Sequence, residues 1–414
     1  MIHFKKLNQE YLEKIYIFLL AAIQFIHIVY FVVLMPLGPI IMNDLNIGPA
    51  QFAGLVSSYN FSAAISGLLF ASIADRFDRK KLLIGVLLAF TFGALLCAQS
   101  PTYNILLLSR IFTGAFGGIL TSVILTIVSD LIAYERRGKA IGVIMSAFSI
   151  ASIIGIPLGL VLAEGLGWRS TFYAVSATSL FILISCYIFF PGLSSYSVKE
   201  GFLETLSSYL KLLFRKEYLK SFALIFIVAH SMFLIFPFLS PYAVKNIGIA
   251  VGDLKYMYFF AGIATIFTAN FFGRMTDTLG GERVFMTLCL ISIIPVLMYT
   301  NAPEMKLIPF IMMATFFMTI VSGRMIPCMT VLTRVPDSLD RGRYMAVLNS
   351  VRAFGASIAT LVSGFMMSQN EKGQILGLDR VGHLSVVLIL FSIFLMFFIF
   401  YRPEKLKAMD ETVA

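Results

Sequence analysis

The chain has 414 residues; 59% are hydrophobic, only 13% are charged, and the formal net charge is +10. A soluble domain carries about twice that charged share, so a water-soluble fold is excluded, as are collagen-like, disordered and disulfide-framework chains. A spanning helix takes about 20 apolar residues, and a dozen of them fit this length only if charge is kept out of the spans.

Twelve apolar runs follow one another, at residues 15–42, 51–73, 82–99, 104–130, 139–163, 170–191, 221–244, 256–272, 284–300, 307–333, 344–368 and 381–401. They are longer than the 9–11 residues a spanning strand needs and lack its alternation, so they are read as helices. Ahead of them Met1 to Lys14 is polar, and the first run is too long for a signal-peptide core, so no cleavable leader is expected. With the N-terminus inside, cytoplasmic segments hold 23 Lys and Arg residues and outer loops hold six. That imbalance places both termini in the cytoplasm and the chain in a cell (inner) membrane. It also accounts for the basic charge without nucleic acid.

Residues 192–220 form the longest polar stretch and divide the runs six and six. The expected organisation is an N-terminal bundle over 1–191, a central loop over 192–220, a C-terminal bundle over 221–401 and a tail over 402–414. Within the loop, Phe202 to Phe214 has the spacing of an amphipathic interfacial helix. The halves echo each other. Asp75 is matched by Asp277, Arg137-Gly138 by Arg341-Gly342, and Pro36 and Pro39 by Pro237 and Pro241. Paired six-helix halves are a transporter architecture.

The connection after the second run reads Gly67, Ala71, Asp75-Arg76, Asp78, then Arg79-Lys80-Lys81; its counterpart reads Gly273, Asp277, Gly280-Gly281, Arg283. The fourth run carries Arg110, Gly114, Gly117 and Gly118. The fifth carries Gly155, Pro157 and Gly159. On these motifs the chain resembles the major facilitator superfamily over nearly its whole length, and its proton-antiporter branch of drug and sugar (arabinose-like) exporters in particular. Ala71 and Asp78 depart from the family's glycines, and the eleventh run lacks the proline of the fifth.

The resemblance implies an all-α membrane protein of two pseudo-symmetric six-helix bundles working by alternating access. It implies a gating role for Asp75, Arg76, Arg79, Asp277 and Gly273, and close packing or bending at Gly114, Gly155, Pro157 and Gly159. It also implies a cavity lined by runs 1, 4, 7 and 10.

Three arginines, Arg110, Arg324 and Arg352, lie inside apolar runs, while all 22 acids fall in loops or at span ends. A cavity with buried cations and no acids holds a positive potential, which points to an anionic or amphiphilic substrate. Arg324 leads as the contact, with Arg110, Arg352, Tyr30 and Gln24 beside it. An intramembrane arginine that only hydrogen-bonds helix carbonyls is the structural alternative. Proton coupling needs a titrating group; His27 and His230 are candidates, with Asp75 and Asp130 as others.

No phosphate-binding loop, nucleophile elbow or metal-spaced set is present, so the chain is read as no enzyme, with no cofactor and no metal. Its partners are a small-molecule substrate, protons and the lipid bilayer, and a monomer is the default. The first reading is a proton-coupled exporter. Uptake or lysolipid transport is the second, and a transport-inactive sensor or receptor the third. The short tail after Arg402 counts against a sensor.

Overall fold

The computed structural model describes residues 9–71, 78–191, 202–337 and 340–400. Twelve helical stretches among them are long and apolar enough to cross a membrane, and each falls on one of the twelve runs read from the sequence.

Span 1 is α1 (Gln9–Val33). It ends short of the expected residue 42, and a separate short helix α2 (Gly38–Asp44) follows. Pro36 and Pro39 lack the amide proton that a continuous helix needs. Spans 2 to 4 are α3 (Pro49–Ala71), α4 (Arg79–Ala98) and α5 (Tyr103–Leu131). Span 5 is α6 (Tyr134–Ile150), a wide π-type turn over Ala151–Gly155, and α7 (Ile156–Leu166). The wide turn ends two residues before Pro157, which relieves the clash the proline ring makes with the preceding turn. Span 6 is α8 (Trp168–Phe189). The expected amphipathic helix is present as α9 (Phe202–Leu213).

Span 7 is α10 (Lys216–Phe233), followed by a tight turn at Phe236–Phe238 and the short α11 (Leu239–Tyr242). Its break falls 200 residues after that of span 1, again at prolines. The two breaks meet: a methyl on Gly38 would lie 2.9 Å from the Pro241 ring. Spans 8 and 9 are α12 (Leu254–Leu279) and α13 (Gly281–Thr300). Span 10 is α14 (Leu307–Gly323) and α15 (Met325–Leu332), interrupted at Arg324. Span 11 is α16 (Arg341–Met366), and span 12 is built on α17 (Leu378–Leu395). Between them lies a two-residue hairpin, β1 (Ser368–Gln369) and β2 (Ile375–Leu376), which the sequence did not announce.

The echo between the halves has an atomic counterpart. Arg137 at the start of span 5 donates from Nη2 to the Ser129 carbonyl (2.6 Å) and from Nε to the Ile132 carbonyl (2.9 Å). Arg341 at the start of span 11 donates from Nη2 to the Thr333 carbonyl (3.4 Å). Each arginine reaches back eight residues to the end of the preceding helix, where the last carbonyls have no intrahelical partner.

Candidate functional site: the buried arginines and the seam between the halves

We call the side on which α1 begins the near face and the opposite side the far face. In the N-terminal half, Arg110 is completely buried. Its Nε donates to the Leu55 carbonyl (3.3 Å) and Nη1 to the Tyr30 carbonyl (3.5 Å). Its guanidinium carbon stands 4.7 Å from the Tyr59 ring centroid and 4.9 Å from that of Tyr30. Two aromatic faces and two carbonyls thus take the place of a counter-ion. Tyr30 shares a hydrogen bond with Cys97 (3.1 Å). His27 lies one turn earlier on α1, with its ring 6.3 Å from Tyr59 and 5.9 Å from Phe90.

Among the described residues, Nη2 of Arg110, Nδ1 of His27, Oε1 of Gln24 and the Tyr59 hydroxyl are buried without a hydrogen-bond partner. The glycines of α5 make this cluster possible. A methyl on Gly117 would lie 2.9 Å from Cζ of Tyr59 and 3.1 Å from Nε2 of His27, and one on Gly114 would lie 2.5 Å from the Tyr59 carbonyl oxygen.

Arg324 is also buried. It sits at the interruption of span 10, donates Nε to the Val321 carbonyl (3.2 Å), and lies beside Cys289 and Cys328. All four cysteines are free and buried. Arg352 differs: its side chain is exposed although protein surrounds it. It shares this character with Asn349, one turn earlier on α16. Phe354, two residues on and so roughly 200° around the helix, meets Phe61 of α3 at 5.4 Å between centroids. Arg352 therefore points away from that contact. His230 stacks on Phe226 at 5.5 Å, against the backbone of Gly355.

The motif residues are placed unevenly. Asp75 and Arg76 lie outside the described residues. Asp78 accepts a hydrogen bond from the Lys81 amide (2.8 Å) and caps α4. Arg79 is buried and pairs with Asp130 at the end of α5 (3.3 Å), joining a gate candidate to a proton candidate on the near face. Lys80 donates to the Phe190 carbonyl at the end of span 6 (2.5 Å), so it does more than set topology. Asp277 is exposed in the last turn of α12, and a methyl on Gly273 would meet nothing within 4 Å.

Gly155 and Gly159 face Val29 and Val33 of α1, inside their own half. The cross-half contact of span 5 is made by its neighbours, with Ile153 packed on Gly262 of α12. Toward the far face this seam continues to Glu164, whose carboxylate lies on Gly252 and 3.9 Å from Lys255. The opposite seam joins α3 to α16, where Ser357 donates to the Ser57 carbonyl (2.9 Å). Also on the far face, Asp44 accepts from Trp168 Nε1 (2.9 Å) and Arg169 Nη1 (2.8 Å), which hold its carboxyl below the usual range.

Glu164, Lys255, Asp44 and Tyr59 carried no sequence signal. Each is one of many of its type, distinguished only by what it meets.

Twelve apolar helices in two echoing halves, with cations buried in their cores, define a multi-pass membrane transporter. The chain matches the Major Facilitator Superfamily over residues 20–360 and again over 221–412, and it belongs to that family. It is 25% identical over 325 residues to the MFS-type transporter YtbD of Bacillus subtilis strain 168, covering 78% of this chain and 80% of that one. It is 23% identical over 352 residues to a probable sugar efflux transporter of Helicobacter pylori strain J99, covering 85% and 86%. Its fold matches a bacterial homolog of the human lysosomal transporter Spinster, in an inward-facing and occupied conformation, with a TM-score of 0.75 at 16% identity over 92% and 95% of the two chains.

Proposed function

We propose that this transporter exports a small anionic or amphiphilic organic molecule from the cytoplasm in exchange for protons, with the near face cytoplasmic. The observation that carries the substrate class is Arg352. Of the three arginines inside the apolar runs it alone has an exposed side chain, and every acid lies in a loop or toward a span end. An exposed guanidinium within the span attracts a carboxylate or phosphate and can hold it bidentately. This reading moves the leading contact from Arg324 to Arg352, because Arg324 is enclosed by its own half. The motifs of span 5 and the Helicobacter pylori relative's name support export.

His27 is the proton site we favour. Its Nδ1 is buried and, among the described residues, has no hydrogen-bond partner, so it is free to accept a proton.

Alternating access then consists of rocking the halves about the α3–α16 and α7–α12 seams. Metabolite profiles of cells with and without the protein test the direction: a compound retained inside on deletion supports export, and one depleted inside overturns it. Purified protein in liposomes tests the coupling. Adding the retained compound against an imposed proton gradient should move protons, and substrate flux with no proton movement removes the exchange.

A further inference from the structure

A cleft of about 640 Å³ lies at the α3–α16 seam, lined by α3, α5 and α16. Its rim on α3 and α5 is formed by the exposed apolar side chains of Phe61, Ile65, Leu69 and Ile111. Four serines of α3 line it, yet its surface is apolar. Ser57, Ser58, Ser62 and Ser66 each turn the hydroxyl to the carbonyl three residues back, at 3.0–3.3 Å. They act there as small residues with satisfied polar groups, and their small size is what leaves the space. The facing wall comes from the other half of the molecule, through Ser357 and Leu361 of α16.

We propose that this cleft binds one acyl chain of a bilayer lipid, held between the two halves as a working part of the seam. The occupant follows from the position. The cleft follows α3 from Ser57 in mid-helix to Leu69 in its last turn, and the exposed side chains at its rim are apolar, so the medium they meet within the span is hydrocarbon. Its volume falls in the range that encloses a small ligand, about 300–1,000 Å³. Among the described residues no charged side chain lines it, so the lining they form suits a hydrocarbon chain and not an ion. The cleft also continues the contact made by Phe61 with Phe354 and by Ser57 with Ser357. Rocking of α16 against α3 must therefore change its width, and a chain wedged in it resists or favours one state according to its length and unsaturation.

The test uses the whole protein in nanodiscs of phosphatidylcholine carrying a mid-chain diazirine. Irradiation, digestion and mass spectrometry then map the adducts. They should concentrate on α3 between Phe61 and Leu69 and on Leu361, severalfold above those at Phe181 and Phe267, which are at least as exposed on other helices. Ala115→Phe fills the cleft from α5 and Leu361→Phe fills it from the other half; neither removes a hydrogen bond. Each should lower the cleft adducts severalfold and leave the rest unchanged.

Even labelling around the protein, or cleft labelling indifferent to both substitutions, overturns the proposal. None of these readouts depends on transport, so the result stands apart from the export assignment.

Discussion

The guanidinium of Arg110 stands 4.7 Å from the ring centroid of Tyr59, across the boundary between α5 and α3, and among the described residues no carboxylate pairs with it. Burying an isolated cation is costly, and here two tyrosine faces and two carbonyls offset that cost. Tyr59→Phe, which keeps the ring, should leave the melting temperature nearly unchanged. Tyr59→Leu should lower stability by about 2 kcal/mol, the scale of a desolvated cation–π contact. Arg110→Lys should also destabilise, since an ammonium lacks the planar fork that reaches both carbonyls. Thermal unfolding in detergent measures all three, and equal melting temperatures for the Phe and Leu variants would remove the ring from the account.

The motif glycines should divide into two kinds. Gly114→Ala puts a methyl 2.5 Å from a backbone oxygen that cannot move aside, so a loss of about 1–3 kcal/mol is expected from overpacking. Gly273→Ala meets open space in a helix, so it should stabilise by up to about 1 kcal/mol. The two melting temperatures, read side by side, should move in opposite directions.

Arg352 and Arg324 should separate function from stability. With the exported compound in hand, Arg352→Gln should raise its KM at least tenfold, matching the loss of a hydrogen bond to a charged group worth about 1.5–3 kcal/mol, and leave folding intact. Arg324→Gln should change the melting temperature and leave KM in place. A KM raised only by the Arg324 variant would restore that residue as the anion contact.

On the far face, Glu164 of one half lies on Gly252 and near Lys255 of the other. An exposed pair of this kind contributes about 0–1 kcal/mol, enough to shift a two-state population up to about fivefold. Glu164→Gln and Gly252→Ala should each favour opening at this face. Spin labels at Leu166 and Glu304, both exposed, would report it as a longer distance in pulsed electron resonance. An unchanged distance distribution in both variants would falsify the latch.

Asp44 supplies a pH dependence. Trp168 and Arg169 hold its carboxyl below the ordinary range, so its contribution is complete above the unfolded value. The contribution fades as pH falls through the lower folded value. Trp168 is the only tryptophan in the chain, so its emission should shift in acid below the usual carboxylate range. In Asp44→Asn that titration should be gone.

Much of this architecture was legible in the residues themselves. Hydrophobic runs with charge excluded define spans, because unpaired polar groups cannot remain in hydrocarbon. The spacing of Arg137 and Arg341 revealed the internal echo, since both serve the same local purpose at a helix end. Pro36 and Pro237 entered the sequence reading only as an echo, and the breaks beside them in spans 1 and 7 emerged from the structure, because apolarity does not register a missing amide.

The sequence by itself determined twelve helices, two matched halves and three cations inside the spans. Only the tertiary structure decided what those cations do. Burial separates Arg110 and Arg324, enclosed within their own halves, from Arg352, which remains exposed. Burial depends on which helix faces which, and that is set by contacts between residues far apart in the chain. The same holds for Gly155 and Gly159, which face α1 within their own half, and for the cleft at the α3–α16 seam, whose walls come from opposite ends of the sequence.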